Sequence, residues 1–256
     1  SGLPKDVVLA NLNKAFGSPI DKSKAVPAAL APKPQAAHDT KTIYWVQKDG
    51  ASQSVVMLGN VAPAFDPARS TAQQAGNSVL GGQFTSRVNM NLREDKGYTY
   101  GARTSVSTHR HGGYYRASAS VKANTTAASL TEFLKELSGI VDGQPITETE
   151  YKNTCSRMLQ GWPAYFERGQ GMLGQYAAAN AHKRPKGWLQ KYESRVSALS
   201  QPAVQKAMTE LIDPAKLAIV VVGDWAIAGK EVEALNLGPI VHLDHDGNPA
   251  PAASKN

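Results

Sequence analysis

Cysteine is nearly absent from this sequence. One thiol, Cys155, among 256 residues excludes an internal disulfide and a four-cysteine metal site. No position in the sequence pairs Cys155 with an activating histidine, so it reads as a small buried hydrophobe rather than a nucleophile. No run of about eighteen apolar residues occurs, which excludes a membrane-spanning helix and leaves no membrane partner to expect. The start, Ser1-Gly2-Leu3-Pro4, has no signal-peptide layout.

Several chemical motifs are missing as well. A zinc peptidase site needs His-x-x-Glu-His, which places two imidazoles and a carboxylate on one helix face. The sequence has no such motif. Its six histidines are His38, His109, His111, His182, His242 and His245. His109 and His111 flank an arginine near a turn, and His242 and His245 fall in a polar tail, so all four read as surface residues and no metal ligand is assigned. A P-loop and a G-x-S-x-G elbow are also absent. Val220-Val-Val-Gly-Asp224 has the look of a dinucleotide turn but lacks G-x-G-x-x-G, so Gly223 reads as a packing turn.

Acidic residues are outnumbered, 21 against 28 lysines and arginines, for a net charge of +7. The basic residues are scattered. The nearest clusters, Arg103 to Arg116 and His182 to Lys191, lack the aromatic spacing of a nucleic-acid motif, so no nucleic-acid partner is expected.

The length suits one α+β domain, or two small subdomains, with a sizeable core. Val7 to Phe16 reads as a helix. Gly17 to Thr40, rich in Pro, Ala and Lys, reads as an extended surface connector. Thr42 to Gln47 and Gln53 to Gly59 are strands joined by Asp49-Gly50, a hairpin signal, and are expected to pair antiparallel. Asp66 caps a helix running to about Leu80. Ala102 to Thr108 and Tyr114 to Ala123 alternate as strands around His111-Gly112-Gly113, which would complete a meander of at least four strands. Thr125 or Thr126 caps a helix with Leu130, Phe133, Leu134, Leu137, Ile140 and Val141 on one stripe. Helices over 148–166, 169–181, 188–196 and 201–212 follow, the last capped by Ser200. Leu217 to Val222 is an apolar strand. Strands first and helices later suit an antiparallel sheet with helices packed on one face.

The stretch that organises the chain is Leu80 to Ala102, LGGQFTSRVNMNLREDKGYTYGA. Thr85 or Ser86 caps a short helix whose apolar stripe is Phe84, Val88 and Leu92, and Gly97 gives it a left-handed stop. Tyr98-Thr99-Tyr100 then reads as a strand. Arg93 ends the helix and Tyr100 starts the strand, so the two can face one cleft. A guanidinium fork and a phenolic donor suit a peptide carbonyl and the oxyanion it becomes. The spacing alone does not separate this from a surface arginine beside a core tyrosine.

The run GGQFTSRVNMNLREDKGYTYGA resembles the most recognisable stretch of the second, non-zinc half of the pitrilysin or insulinase family of zinc peptidases. The closing segment, DPAKLAIVVVGDWAIAGKEVEALNLG, resembles the last strand and helix of such a half. The resemblance implies the same α+β half-unit, spanning residues 41–247 after an N-terminal helix and connector (1–40) and before a polar tail (248–256). It implies catalytic roles for Arg93 and Tyr100, where the strand face alone does not distinguish Tyr100 from Tyr98. It also implies that Gly82, Gln83, Phe84 and Tyr98 receive the substrate, a peptide or unfolded protein. No cofactor is expected in this chain. Zinc is expected in a partner half, on the same parent chain or a separate subunit. The missing first strand marks the chain as a cut or processed piece, and the Asp246-Gly-Asn-Pro249 tail resembles exported bacterial relatives, which implies a periplasmic or secreted parent. The other reading open at this point is a scaffold relative of the same fold that has lost proteolysis.

Overall fold

The computed structural model describes residues 2–17 and 39–251. The Pro/Ala-rich connector and the end of the polar tail fall largely on residues 18–38 and 252–256, outside that set. The first helix, α1 (Lys5–Phe16), has no buried residue.

Among the described residues six strands form one sheet: β1 (Thr42–Gln47), β2 (Gln53–Ala62), β3 (Thr99–His109), β4 (Gly112–Lys122), β5 (Ala218–Gly223) and β6 (Ile240–Leu243), in the order β3-β4-β2-β5-β1-β6. The sheet is mixed, not antiparallel throughout. β1 runs parallel to both β5 and β6, while β2, β4 and β3 pair antiparallel and β2 also pairs antiparallel with β5. The expected β1–β2 hairpin and four-strand meander are therefore corrected. Asp49-Gly50 does reverse the chain, with Gly50 at φ 66, but β5 inserts between the two strands. Two bonds lock that insertion at its end: Gly50 N donates to Asp224 Oδ2 at 2.8 Å, and Lys48 N donates to the Gly223 carbonyl at 2.9 Å.

Alternation along the strands decides which face is covered. Ile43, Trp45, Val56, Leu58, Ala102, Tyr115, Ala117, Val121, Ile219 and Val221 are buried on one side, whereas Val55 and Val61 on the other are exposed. Helices pack on the buried face. They are α2 (Pro67–Asn77), α3 (Arg87–Asn89), α4 (Thr126–Val141), α5 (Glu148–Gly161), α8 (Tyr192–Ser197), α9 (Gln201–Thr209) and α10 (Trp225–Ala234), while α6 (Ala164–Glu167) and α7 (Gly169–Ala181) have no buried residue and pack against each other. Leu130, Phe133, Leu137 and Ile140 of α4 are fully buried, and truncating any of them to alanine costs about 2–5 kcal/mol. Trp45 meets Trp225 edge-on at 4.9 Å, which ties β1 to α10.

Asp66 and Ser200 cap their helices through side-chain acceptors, as their sequence positions suggest. Thr126 instead donates to Ser54 Oγ at 2.8 Å, tying α4 to β2. The helix expected over 148–166 breaks after Gly161, where Pro163 follows and the short α6 begins. The one expected from residue 188 begins only at Tyr192. His242 lies in β6, edge-on to Trp225 at 4.7 Å, rather than in a free tail. Among the described residues no helix is long and apolar enough to cross a membrane.

Candidate functional site

The chain between α2 and β3 departs from regular helix twice. α2 continues as a π-helical turn, Ser78–Gly82, and α3 as another, Met90–Asp95. Wide turns of this kind recur at functional sites because they displace a side chain from the helical register. Between them Ser86 takes the N-cap position, yet its hydroxyl donates back to the Gln83 carbonyl at 2.6 Å instead of capping. With Ser86 at the N-cap the helix starts at Arg87, which leaves Phe84 outside it. Val88 and Leu92 are fully buried, but Phe84 is 55% exposed; the expected three-residue apolar stripe is only its last two members.

Two buried asparagines hold this stretch. Asn89 accepts from Ala102 N at 3.0 Å and donates to the Phe84 carbonyl at 2.6 Å, which joins the loop, α3 and β3. Asn91 donates to Glu132 Oε2 at 2.9 Å and to Glu136 Oε1 at 2.7 Å on α4. Burial raises the Glu132 carboxyl, but Asn91, Lys135 and Lys96 together bring it below the usual glutamate range. Neither asparagine is evident as a site-builder in the sequence. Their only signal is two amides inside an otherwise apolar helical stretch, a place where amides sit only if they are bonded.

Gly97, at φ 64, then turns the chain into β3. Its N–H bonds the Arg93 carbonyl at 3.2 Å, and Tyr98 N bonds the Leu92 carbonyl at 2.9 Å. A bulge between Thr99 and Ala102, stitched by Thr99 Oγ1 to the Ser120 carbonyl at 2.6 Å, throws Tyr100 outward to 90% exposure. The Arg93 guanidinium lies 4.5 Å from the centre of the Phe84 ring and 3.3 Å from Glu94. Arg93, Tyr98 and Tyr100 line one open cleft of about 320 Å³ with Gln53, Glu94 and Lys122.

Gly82 and Gln83 lie elsewhere. They border a second cleft of about 450 Å³ with Arg157, Tyr165 and Tyr192, where Arg157 donates to Gln83 Oε1 at 3.0 Å and Thr85 Oγ1 at 2.7 Å. Phe84 joins the first group through the Arg93 stack. The close approach permitted at the glycine pair is taken up by the protein itself. A Cβ on Gly81 would come within 2.4 Å of Thr104 Oγ1 on β3.

Cys155 is half-exposed; burial pushes its thiol up, against a hydrogen bond from Tyr151 that lowers it, and the net shift is upward. That keeps it protonated rather than nucleophilic. Among the described residues no group of three or more His, Cys, Asp or Glu is placed to hold a metal ion.

The family model described as the peptidase M16 inactive domain matches residues 1–158. The chain belongs to that family. A comparison with curated proteins finds no match. Among solved structures, the chain is similar to a peptidase M16 inactive domain from Pseudomonas fluorescens (24% identity, TM-score 0.67, 77% of this chain and 47% of that one). It is also similar to a protease from Helicobacter pylori (21%, 0.74, 86% and 53%) and to the periplasmic protease PqqL from Escherichia coli (14%, 0.64, 88% and 24%). At these identities the likeness establishes the M16 half-unit fold. The chain spans about half the length of the first two structures it matches.

Proposed function

We propose that this M16 inactive domain is the zinc-lacking half of a metalloendopeptidase, closing over a zinc-bearing half and lending Arg93 and Tyr100 to the cleft between them. The observation that carries this reading is the convergence of Arg93, Tyr98 and Tyr100 on one open cleft at the first residues of β3. The zinc half polarises the scissile carbonyl and activates water. This chain supplies donors aimed at the oxygen on which charge then develops. Phe84 holds the guanidinium over its ring without consuming its N–H donors, and Glu94 is a surface partner that a stronger oxyanion displaces at little cost. Among the described residues β3 pairs only with β4; beyond the stretch where Asn89 and Asn77 bond Ala102 N and the Thr104 carbonyl, its outer edge takes a peptide strand, with Gly82, Gln83, Phe84 and Tyr98 receiving the substrate beside it. The Escherichia coli neighbour is a periplasmic protease, which supports a periplasmic parent.

In the assembled enzyme, Arg93→Ala or Tyr100→Phe is expected to lower kcat by about 10²-fold to 10³-fold, as loss of one oxyanion donor does. Unchanged kinetics in both variants would sink the assignment. The pairing of Arg93 with Glu94 favours a second reading, a scaffold domain with an ordinary surface arginine, and under that reading both variants turn over normally.

A further inference from the structure

A third cleft, about 350 Å³, lies against the other end of β3, where Val106 and Thr108 form its floor. Its walls are aromatic and basic. Arg195 stacks 3.6 Å from the centre of the Trp188 ring, and Arg184 lies 5.6 Å from that ring and 5.1 Å from Phe65. Trp162 and Tyr192 stack face to face at 3.9 Å and close the adjoining wall.

What sets these arginines apart is the want of an acceptor. Eight ion pairs join other residues among those described, and neither Arg184 nor Arg195 takes part in any of them. No aspartate or glutamate lines the cleft. Among the described residues Arg184 makes no side-chain hydrogen bond, and its Nε is buried and unpartnered. Arg195 donates to the Trp188 carbonyl and to Thr71 Oγ1, which leaves the rest of its fork unused. Burial pulls both guanidinium pKa values below the ordinary arginine value. Half-buried cations without a counter-charge are costly, and buried donors are rarely left unbonded. A guanidinium stacked on a ring face keeps its edge donors in the plane where a carboxylate binds bidentately.

We propose that this cleft is an anchoring site for a carboxylate of a bound peptide, held by Arg184 and Arg195 with the adjacent side-chain group resting on Trp188 and Tyr192. The carboxylate comes from an acidic side chain or from a peptide C-terminus. The cleft adjoins the one that holds Gly82 and Gln83, sharing Gln74, Tyr165 and Tyr192 with it. It lies roughly 20–25 Å along β3 from Tyr100, so it reads a residue distant from the scissile bond. The inference rests on the reading that this domain receives peptides, but its test does not involve Arg93, Tyr100 or zinc.

The test is calorimetric titration of the full chain alone with three blocked alanine-based pentapeptides: one with a central glutamate and an amidated end, one with a central glutamine and an amidated end, and one all-alanine with a free C-terminal carboxylate. At least one carboxylate peptide is expected to bind tenfold or more tighter than the glutamine amide, because a charge-assisted bond to a desolvated arginine has that worth. Whichever binds tighter names the source. Arg184→Gln removes no side-chain hydrogen bond among the described residues and is expected to erase the preference while leaving the thermal transition in place. Arg195→Gln should act in the same direction. Equal binding of all three peptides, or a preference that survives Arg184→Gln, would overturn the proposal. So would inorganic phosphate that competes as strongly as the glutamate peptide, since that points to a general oxyanion site.

Discussion

The two ends of β3 carry arginines in opposite circumstances. Arg93, near the start, is partly exposed, steadied by Phe84 and loosely paired with Glu94. Arg184 and Arg195, near the finish, are half-buried, stacked on rings and without a carboxylate in reach. A solvated arginine with a weak partner pays little to stay charged and exchanges that partner readily, which suits a charge that exists only in a transition state. A desolvated arginine without a partner is stabilised only when an anion stays bound, which suits an anchor present throughout binding. Under the two proposed roles, one strand separates a place for transient charge from a place for permanent charge.

The sharpest way to break the comparison is to neutralise each end and measure turnover in the assembled enzyme on a peptide lacking acidic residues and carrying an amidated end. Arg93→Ala is expected to cost about 10²-fold to 10³-fold in kcat, while Arg184→Gln leaves kcat within about twofold, there being no carboxylate for it to lose. On a peptide that carries the anchoring carboxylate, Arg184→Gln should instead raise KM by about tenfold with kcat little changed, the signature of lost uniform binding.

A second test attacks the spacing between the two ends. Gly81→Ala drives a methyl into Thr104 near the middle of β3, and overpacking of this kind costs about 1–3 kcal/mol. Thermal melts should show the loss, and both ends should suffer together because the strand that aligns them shifts.

Acid should act on the scaffold before it acts on either arginine. Arg87 forks onto Glu150 through two contacts of 2.7 Å. Burial raises the Glu150 carboxyl, but Arg87 and the Thr147 backbone outweigh it and the net shift is downward. A carboxylate depressed in the folded state stabilises above its unfolded pKa, about 4.3, and that contribution disappears as pH falls through the lower folded value. Glu132 shifts the same way. The melting temperature should therefore hold from pH 7 to about 5 and fall below about 4, less steeply in Glu150→Gln, whose melting temperature is already lower at neutral pH.

The smallest effect is expected at Phe84→Ala. The ring under Arg93 is worth about 0.5–1 kcal/mol at an exposed site, so kcat should fall only a few-fold with stability unchanged.

Much of this was legible in local sequence. Asp66, Ser200 and Gly97 each mark a helix end through the chemistry of the residue itself, and alternation marked the strands of the β3–β4 pair. The insertion of β5 between β1 and β2 had no local signal, since Ala218 meets Thr42 across the whole length of the domain. Phe84 sat at the right spacing for the core, but it precedes the Ser86 N-cap, so it lies outside the helix and its ring stays exposed. Pro163, which cannot donate an N–H to a helix, is the local signal that the single helix expected over 148–166 passed over. Arg93 and Tyr100 were singled out by the resemblance of their motif to the family and not by their spacing, and only the fold puts them on one cleft. The Arg184–Arg195 cleft was invisible because its walls come from Phe65, Thr108, Trp162 and Trp188, which only the fold assembles.

On the proposed function, this domain completes a catalytic cleft that it cannot form alone. The most direct test is to titrate the zinc-bearing half of the parent protein with this chain and follow hydrolysis of a fluorogenic peptide. Hydrolysis that is absent with either half alone, rises in proportion to added chain and saturates at one equivalent is the expected result. Full activity of the zinc half without this chain, or hydrolysis by this chain by itself, would contradict the account.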